Sequence, residues 1–380
     1  MLIKLNDKKC SGCRACEQIC SKKAITIEKS KQGFGYPIID NNACVQCGIC
    51  VKVCQCYAKD IREDITKITT YAAIYKDDVI RKGSQSGGLF YGLAEKVIKD
   101  NGIVYGAAVS DKNVVEQIRI QTLCDLKRLQ GSKYVQSDTN TTYLRVCEDL
   151  NNGKQVLYAG TSCMIDGLYR YLNVKHVNVE NLVTCDLICH GVVSPELYRE
   201  NLLRIENQKH KKIININFRD KKYGWHSHME TYTFEDGSTL SEKYYTELFY
   251  SHVALRECCY ECQYTSLDKK PADITMADFW GIEKIIPEIK DDNTGISLAI
   301  VRTSKGENLI KRTKLELIGV DSSDILQKNR GGNIGKPFIY SAFWKDYYKN
   351  GYEYCLRKYT IYGGVLFKLK RKILKKIKRW

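Results

Sequence analysis

Proline and long apolar runs are scarce in this sequence of 380 residues. Only 5 residues are Pro and 43% are hydrophobic, so the composition favours a folded protein with a sizeable core over a disordered chain. We find no run of about 18 apolar residues that could span a bilayer, and the first residues lack the apolar segment of a secretory signal. We therefore expect a cytoplasmic protein of two or three domains.

The motifs of hydrolases are also absent. We find neither a Ser/His/Asp arrangement nor an HExxH motif. Cysteine, by contrast, is abundant, with 18 residues. Because thiols stay reduced in the cytoplasm, we interpret the spacing of these cysteines as a sign of metal ligation in preference to disulfide bonding.

Eight cysteines form an internal repeat near the N-terminus. Both copies read C-x2-C-x2-C-x3-C, and together they consist of Cys10, Cys13, Cys16, Cys20, Cys44, Cys47, Cys50 and Cys54. Three closely spaced thiols suit one iron–sulfur cubane, and the fourth thiol of each copy, which we expect to open a helix leading away, reaches the other cluster. The alternative is a pair of zinc sites, but their usual signal is two C-x2-C pairs separated by a longer loop.

This spacing resembles that of bacterial two-cluster ferredoxins. The resemblance implies that Cys10, Cys13, Cys16 and Cys54 hold one 4Fe–4S cluster, and that Cys44, Cys47, Cys50 and Cys20 hold the second. The usual Pro after the fourth Cys is Ser21 in one copy and Gln55 in the other, and Pro donates no ligand. The segment between the copies predicts two short strands around Gly33 and Gly35. We interpret Cys56, outside the pattern, as a small buried side chain.

The rest of the chain alternates between apolar strands and amphipathic helices. Helices are predicted over "GLFYGLAEKVIKD", "TTYLRVCEDL" and "MIDGLYRYL", and strands over "GIVYGAAV", "QVLYAG" and "NLVTCDLI". This alternation predicts a sheet with parallel pairs, and "METYTFEDGSTLSEKYY" adds a hairpin turning at residues 235–238. The fold class is therefore mixed α/β, or α+β: a ferredoxin-like two-cluster domain followed by a larger mixed α/β domain.

Four further cysteines come from three separate segments. Cys163 and Cys189 each follow a predicted strand, and the carboxyl ends of parallel strands meet at the same edge of a sheet. Cys259 and Cys262 form a C-x2-C pair. From the residues alone, ordinary buried cysteines remain the better interpretation of these four.

Seven stretches carry a second resemblance. From about residue 75 to 345 the chain resembles the family of beta subunits of coenzyme F420-reducing hydrogenases and dehydrogenases, which includes 7-hydroxymethyl chlorophyll a reductase and divinyl reductases. The stretches, in the family's order, are "GSQSGGLF", "GSKYVQSD", "GTSCMIDGL", "DLICHGVVSP", "RECCYECQY", "PADITMADFWGI" and "GISLAIVRTSKG".

The family resemblance implies a third 4Fe–4S cluster, with FAD beside it. Its ligands are then Cys163, Cys189, Cys259 and Cys262, although Cys258 could compete with Cys259. The implied flavin residues are Ser84, Gln85, Ser86, Gly87, Gly88, Ser132, Lys133 and Tyr134. A glycine-rich turn entering a helix can hold a pyrophosphate through its exposed amides, whereas from the residues alone a plain turn and helix cap is the better interpretation. Lys133 either places a cation near the flavin or is a surface lysine.

Three histidines have open roles. His190 follows a proposed ligand and is either a donor to cluster sulfur, a proton relay or an ordinary loop histidine. His226 and His228 are predicted to share one face of a strand. A metal site there lacks a third ligand, so we expect a strand facing solvent.

The C-terminal tail is strongly basic. Residues 368–380 contain 8 of the basic residues and no acid, within a formal net charge of +16 that three clusters would reduce to about +10. Apolar residues recur at helical spacing at Leu366, Leu369, Ile373, Ile377 and Trp380. Adsorption to an anionic membrane surface and docking on a protein remain open alternatives. We do not expect nucleic-acid binding, because no stacking platform is evident.

These observations predict an iron–sulfur flavoprotein oxidoreductase in the cytoplasm, with a peripheral position at the inner face of the membrane as an option. Its domains are expected at 1–62 (two-cluster ferredoxin), 63–80 (linker), 81–345 (flavin and third cluster) and 346–380 (helical region with the basic tail). Because a flavin joins one-electron to two-electron chemistry, we expect a ferredoxin-like or deazaflavin carrier and an organic substrate as partners. The alternative is a non-catalytic polyferredoxin-like subunit of a larger complex.

Overall fold

The computed structural model of the protein describes residues 8–57, 68–321 and 334–364. The helices in these ranges are α1 Ala15–Ile19, α2 Ile49–Lys52, α3 Asp78–Gly83, α4 Leu89–Lys99, α5 Leu123–Leu129, α6 Thr142–Asn151, α7 Ser162–Val174, α8 Pro195–Lys209, α9 Tyr244–Tyr250, α10 Ser304–Lys311 and α11 Tyr340–Tyr359. The strands are β1 Ile25–Lys29, β2 Gly35–Ile39, β3 Thr69–Tyr75, β4 Ile103–Val109, β5 Val115–Ile120, β6 Val156–Ala159, β7 Leu182–Leu187, β8 Ile213–Asn217, β9 Glu230–Phe234, β10 Thr239–Glu242, β11 Ile274–Asp278, β12 Ser297–Val301 and β13 Leu315–Val320.

The N-terminal part has the predicted pair of antiparallel strands, β1 and β2, and two short helices. The expectation that the fourth Cys of each copy opens a helix is wrong. Each helix begins earlier, directly after a residue in the left-handed region, Arg14 (φ 60°) or Gly48 (φ 72°). The left-handed residue ends the loop that carries the first thiols of each copy, and the helix starts there. Cys20 and Cys54 therefore come after the helices and not at their start.

An eight-stranded sheet organises the larger part, in the order β13-β3-β12-β11-β7-β6-β4-β5. The four strands β4, β6, β7 and β11 run parallel, and antiparallel strands flank them. The mixed α/β class is thus confirmed. Because β12 is antiparallel to both β3 and β11, the strand β3 ends at the same edge as the parallel group. We call this the carboxyl edge.

The strand β3 corrects the predicted domain division. It lies inside the segment 63–80 that we interpreted as a linker, yet it pairs with both β12 and β13. Ala72 and Ala73 are fully buried there, which only a strand within the sheet explains. The linker prediction failed because this short strand is flanked by charged residues.

Helices cover both faces of the large sheet. On one face Leu93 and Val97 of α4 pack with Leu309 of α10 over the sheet. On the other, Ile165 and Leu168 of α7 pack with α6. Each such fully buried aliphatic side chain contributes about 2 kcal/mol relative to exposure, so the sheet is a rigid base for the loops at its carboxyl edge.

A three-stranded sheet, β10-β9-β8, lies apart from the large one and packs with α8, α9 and α11 around Tyr232, Phe234 and Trp344. The predicted hairpin is confirmed, because β9 and β10 pair antiparallel across a turn at residues 235–238. The helix α11 is kinked at Gly351 (φ 78°). The amphipathic tail predicted over residues 366–380 lies outside the described residues. No helix within the described ranges is long and apolar enough to cross a membrane.

The N-terminal part packs directly on the larger part. Thr139 Oγ1 donates to the carbonyl of Cys13 at 3.0 Å, and Ser194, which caps α8, donates to the carbonyl of Gln32. A Cβ added at Gly167 of α7 would lie 2.9 Å from Cys13 Sγ. The two parts are therefore in contact through the first thiol loop.

Candidate iron–sulfur and flavin site

One cavity is lined by the four thiols predicted for the first cluster. Its walls include Cys10, Cys13, Cys16 and Cys54 and the apolar side chains of Ile27, Pro37 and Val53. Burial, with smaller contributions from the neighbouring Cys10 and Cys54, raises the pKa of Cys13 to about 12. Thiolates are unfavourable in such a site unless a cation neutralises them, which is what iron would supply. These residues fit a cluster, and we call them the inner group.

The second set of thiols lies nearer to solvent. Burial is the largest cause of the raised pKa of Cys50, and the nearby thiols of Cys47, Cys44 and Cys20 raise it further. The four thiols therefore lie close together. Cys47 is exposed, and the backbone amide of Ala24 donates to Cys20 Sγ at 3.4 Å. The structure thus brings together the predicted combination of three thiols from one copy and the fourth from the other. We call these four the outer group.

Among the residues that the structure describes, no three His, Cys, Asp or Glu side chains are grouped so as to hold a single metal ion.

The remaining four predicted ligands converge from three segments, and we call them the third group. Cys163 lies in the first turn of α7 after β6, and Cys189 follows the neighbouring strand β7. Burial raises the pKa of Cys163 well above its usual range, and Cys262 and Cys189 raise it further. The pKa of Cys259 is raised first by its contact with Cys258 and then by burial, with Cys189 and Cys163 among its charged neighbours. That the group holds a cluster stays a prediction.

Cys258 lies between two of the thiol groups. Its thiol interacts electrostatically with Cys10 of the inner group and with Cys163, Cys189 and Cys262 of the third group. Cys259 instead packs partly against the hydrophobic core beneath it. The structure therefore leaves both thiols within the third group and does not choose between them as ligand.

One glutamine joins the inner and third groups. Gln55 directly follows Cys54, and its Nε2 donates to Ser11 Oγ at 2.7 Å and to the backbone carbonyl of Cys163 at 3.2 Å. Its Oε1 accepts from Tyr264 at 2.7 Å. Every hydrogen-bonding atom of the amide is engaged, so Gln55 is a fixed connection between the two groups.

A buried lysine, which the sequence did not point to, lies beneath the third group. Lys270 Nζ donates to Ser162 Oγ at 3.0 Å and to the carbonyl of Leu187 at 2.9 Å, and it pairs with Asp186 at 3.4 Å. Ser162 precedes Cys163, and Leu187 lies two residues before Cys189. Lys270 therefore anchors both ligand-bearing loops at the carboxyl edge.

The predicted flavin loop follows β3 at the carboxyl edge. The backbone amides of residues 85–88 donate to no acceptor in the described part of the chain, and Gly88 (φ 88°) sets the start of α4. The hydroxyls of Ser84 and Ser86 instead donate to the carbonyls of Ile80 and Ile296, both at 2.8 Å. The free amides at a helix N-terminus can hold a phosphate, while the two hydroxyls brace the loop.

The second predicted flavin segment meets the first. The amide of Ser132 donates to Gln85 Oε1 at 3.5 Å, and Tyr134 stacks on Phe249 with ring centroids 4.5 Å apart. Lys133 faces away from this junction, because its Nζ donates to the carbonyls that end α5 at Arg128, Leu129 and Gln130. Burial lowers the pKa of Lys133 to about 7.

Unpartnered polar atoms collect between this junction and the third group. Gln85 Nε2, His228 Nδ1 and His252 Nε2 are buried and have no hydrogen-bond partner within the described residues. Burial lowers the pKa of His252 to about 4 and also lowers that of His228, so both rings are neutral near pH 7. A buried polar atom without a partner is costly. These atoms fit the edge of a polar heteroaromatic ligand such as a flavin.

Aromatic rings lie around these unpartnered atoms. The sequence pointed to His190 and His228 for other roles, and it did not point to Tyr250, His252 or the tryptophans. His190 and His252 stack with centroids 6.4 Å apart, and Tyr250 lies 4.7 Å from the ring of His228. Trp225 and Trp280 stack at 4.4 Å nearby. They come from separate loops without a shared motif, so spacing could not reveal them. We use the name histidine cleft for this ring cluster of Tyr134, His190, His228, Tyr250 and His252, together with Gln85 on the adjoining loop.

The prediction that His226 and His228 share one face of a strand is wrong. The strand β9 begins only at Glu230, and the two histidines lie on the preceding loop. His226 is exposed and pairs with Asp291 at 2.5 Å, whereas His228 faces the histidine cleft. Trp225 Nε1 donates to Asp278 at 2.9 Å and fixes this loop. Its residues therefore do not alternate between two faces as they would in a strand.

Comparisons with known proteins match two parts of the chain. Residues 153–321 match the family model for the C-terminal part of the beta subunit of coenzyme F420 hydrogenase/dehydrogenase, and residues 9–58 match a 4Fe-4S dicluster domain. The chain is similar to the F subunit of the F(420)H(2) dehydrogenase of Methanosarcina mazei, with 23% identity over 303 residues that cover 74% of this chain and 80% of that protein. It is also similar to a chain of the F420-reducing [NiFe] hydrogenase complex from Methanosarcina barkeri, with 17% identity, 71% of this chain and 89% of that chain covered, and a TM-score of 0.48.

Proposed function

We propose that this chain, which belongs to the family of coenzyme F420 hydrogenase/dehydrogenase beta subunits and carries a 4Fe–4S dicluster domain, is an iron–sulfur flavoprotein oxidoreductase. The observation that carries the proposal is an order in space. The outer, inner and third thiol groups follow one another from the solvent-exposed Cys47 to the carboxyl edge, where the histidine cleft adjoins Cys189.

The protein's own residues would hold the cofactors. The three thiol groups would each hold one 4Fe–4S cluster, and the amides of residues 85–88 with the histidine cleft would hold FAD. When bound, the clusters supply one-electron transfer and the flavin converts it to two-electron chemistry. Gln55 and Lys270 fix the distances between the holding loops, and the apolar walls around the inner group exclude water.

The neutral imidazoles of the cleft suit hydride chemistry. A hydride donor or acceptor placed against the flavin needs its ring edge held by hydrogen bonds and any proton exchanged with a nearby group. His228 and His252 have nitrogen atoms free for this role within the described residues. The substrate is therefore a deazaflavin such as coenzyme F420 or another planar organic molecule, and the name of the relative, an F(420)H(2) dehydrogenase, supports the former.

Anaerobic purification tests the proposal directly. We expect about twelve irons per chain, in three cubanes, and a flavin that acid precipitation releases. Reduced F420 and a reduced ferredoxin would each be tested for bleaching of the bound flavin. About eight irons and no flavin in the purified protein would instead support the alternative of a non-catalytic electron-transfer subunit.

A matched pair of variants locates the flavin. Gln85→Leu removes an amide whose Nε2 is without a described partner, whereas Gln121→Leu changes an exposed amide outside the cleft. We expect Gln85→Leu to lose flavin with unchanged iron content, and Gln121→Leu to keep both. Retention of flavin at the wild-type ratio and affinity in Gln85→Leu would place the flavin elsewhere.

A further inference from the structure

Arg256 is a fully buried cation at the boundary of the two parts of the chain, with 0% of its surface exposed. Its guanidinium donates to the carbonyls of Cys10 at 2.6 Å and Gly35 at 2.8 Å, and to Gln136 Oε1 at 2.9 Å. It also lies over the ring of Tyr36, 4.2 Å from the centroid. None of these described partners is a carboxylate.

Three other buried arginines of the described chain have acidic partners. Arg170 pairs with Asp166 at 2.8 Å, Arg219 pairs with Asp278 at 2.6 Å, and Arg81 pairs with Asp292 at 2.8 Å. Burying a cation without an anion nearby is strongly unfavourable. The environment of Arg256 therefore lacks the negative charge that its burial requires.

Thiols of the inner and third groups lie near Arg256, where an acid would be expected. Its Nη2 donates to Cys10 Sγ at 3.6 Å, and Cys258 and Cys259 closely follow it in the chain. A 4Fe–4S core with four thiolates carries about −2 charges when oxidised. A cluster on the inner group would thus supply the missing anion.

We propose that Arg256 is the counter-ion of the inner cluster and raises its reduction potential. Reduction adds one electron and no proton to a cluster, which makes it more negative by one charge. A buried guanidinium in contact with a ligand sulfur stabilises that extra charge, because hydrogen bonds to sulfur and net charge set cluster potentials. Arg256 acts as a positioning residue, since it touches the ligand Cys10. The inference rests on the proposed ligands of the inner group.

The test is a redox titration followed by electron paramagnetic resonance, with dithionite as the reductant. Arg256→Lys keeps a charge but loses the fork of donors, and Arg256→Gln loses both. We expect the potential of the inner cluster to fall in the order wild type, Arg256→Lys, Arg256→Gln. The outer cluster, held by Cys20, Cys44, Cys47 and Cys50, is an internal control whose potential stays unchanged.

A milder variant covers the case in which the Arg256 variants fail to load iron. Gln136→Glu keeps the acceptor for Arg256 Nη1 and nearly the same volume. It replaces the Nε2 that donates to the carbonyl of Ser11 at 3.0 Å with a carboxylate oxygen, whose charge neutralises the guanidinium. Its inner cluster is expected to titrate at a lower potential with full iron content. Arg119→Gln, which contacts Asp149 and Gln121 away from the thiols, is the matched control and should change neither potential.

The proposal is overturned if inner and outer clusters shift together, or if Gln136→Glu and a loaded Arg256→Gln both titrate like the wild type. These readouts concern the ferredoxin clusters alone. They therefore remain decisive even if the chain binds no FAD, so failure of this inference is distinguishable from failure of the proposed flavin chemistry.

Discussion

Single residues decide which thiols are ligands in the third group. Cys258 and Cys259 are adjacent, and both lie near Cys163 and Cys189. The C-x2-C spacing from Cys262 favours Cys259, whereas the position of Cys258 between two thiol groups suits a neighbour that modulates both. Substitution separates these roles.

We expect Cys259→Ser to lose the third cluster and Cys258→Ser to retain it. Loss of one cubane of three lowers the iron content by about a third, which iron analysis per chain measures directly. Cys124→Ser, at an exposed cysteine outside the groups, is the control. The opposite pattern, with iron lost only from Cys258→Ser, would assign Cys258 as the ligand.

The depressed pKa of His252 predicts a pH dependence of stability. Its pKa is about 4 in the folded chain, against about 6.5 when unfolded, so the unfolded state binds more protons as the pH falls. The contribution of neutral His252 is therefore complete above pH 6.5 and is lost as the pH falls towards 4, by less than about 1.4 kcal/mol per pH unit because solvent screens part of the ring. We expect His252→Gln to lose less thermal stability than the wild type between pH 7 and pH 5, as measured by melting temperature. Equal losses in both proteins would contradict the assignment.

Prediction of site residues from the sequence succeeded for the cysteine motif that occurs twice in the chain. The two C-x2-C-x2-C-x3-C copies determined both combinations of thiols that the structure brings together. The third group needed the family resemblance, because its residues are separated by long intervening segments. His252, Tyr250 and Trp280 were missed, and His228 was assigned to a solvent-facing strand, because these residues are related only in space.

At the scale of elements, the helix α7 connects the carboxyl edge to the ferredoxin domain. It carries Cys163 in its first turn, and Gly167 one turn later faces Cys13. Predicted helix and strand positions agree with the structure where periodicity is strong, as in α4, β4 and α6. From the sequence we assigned β3 to a linker because charged residues flank it. We misplaced the helices of the thiol loops because helices of 5 and 4 residues are too short to show a period.

Gly167→Ala is expected to impair the inner group rather than stabilise α7. Alanine normally favours a helix interior by about 1 kcal/mol over glycine, but here its Cβ would meet Cys13 Sγ at 2.9 Å. Iron content and the inner cluster's resonance signal should fall. Gly92→Ala in α4, whose Cβ would meet the side chain of Leu315 at the same 2.9 Å but away from the thiols, is the matched control and should retain full iron. Equal iron content in both variants would show that the loop carrying Cys13 shifts easily to make room for the added Cβ.

At the scale of the whole molecule, the contacts between the ferredoxin domain and the larger domain determine how well electrons pass between them. Gln55 touches the ligand loops of both the inner and third groups, at Ser11 and Cys163. We expect Gln55→Leu to slow flavin reduction by an external one-electron donor several-fold in stopped-flow measurements, with iron and flavin content unchanged. Gln32→Leu, in the ferredoxin domain but at the distant contact with Tyr340, serves as the control. An unchanged rate in Gln55→Leu would mean that the amide is only a structural brace.

The fit of α7 against Cys13 also has a consequence for biogenesis. The loop of the inner thiols packs against Gly167 and Arg256, whereas Cys47 is exposed to solvent. Maturation should then follow a sequence in which the inner cubane is installed before the two parts close. Iron added to apoprotein that has already folded should fill the outer site first, and simultaneous filling would show that the closure opens readily.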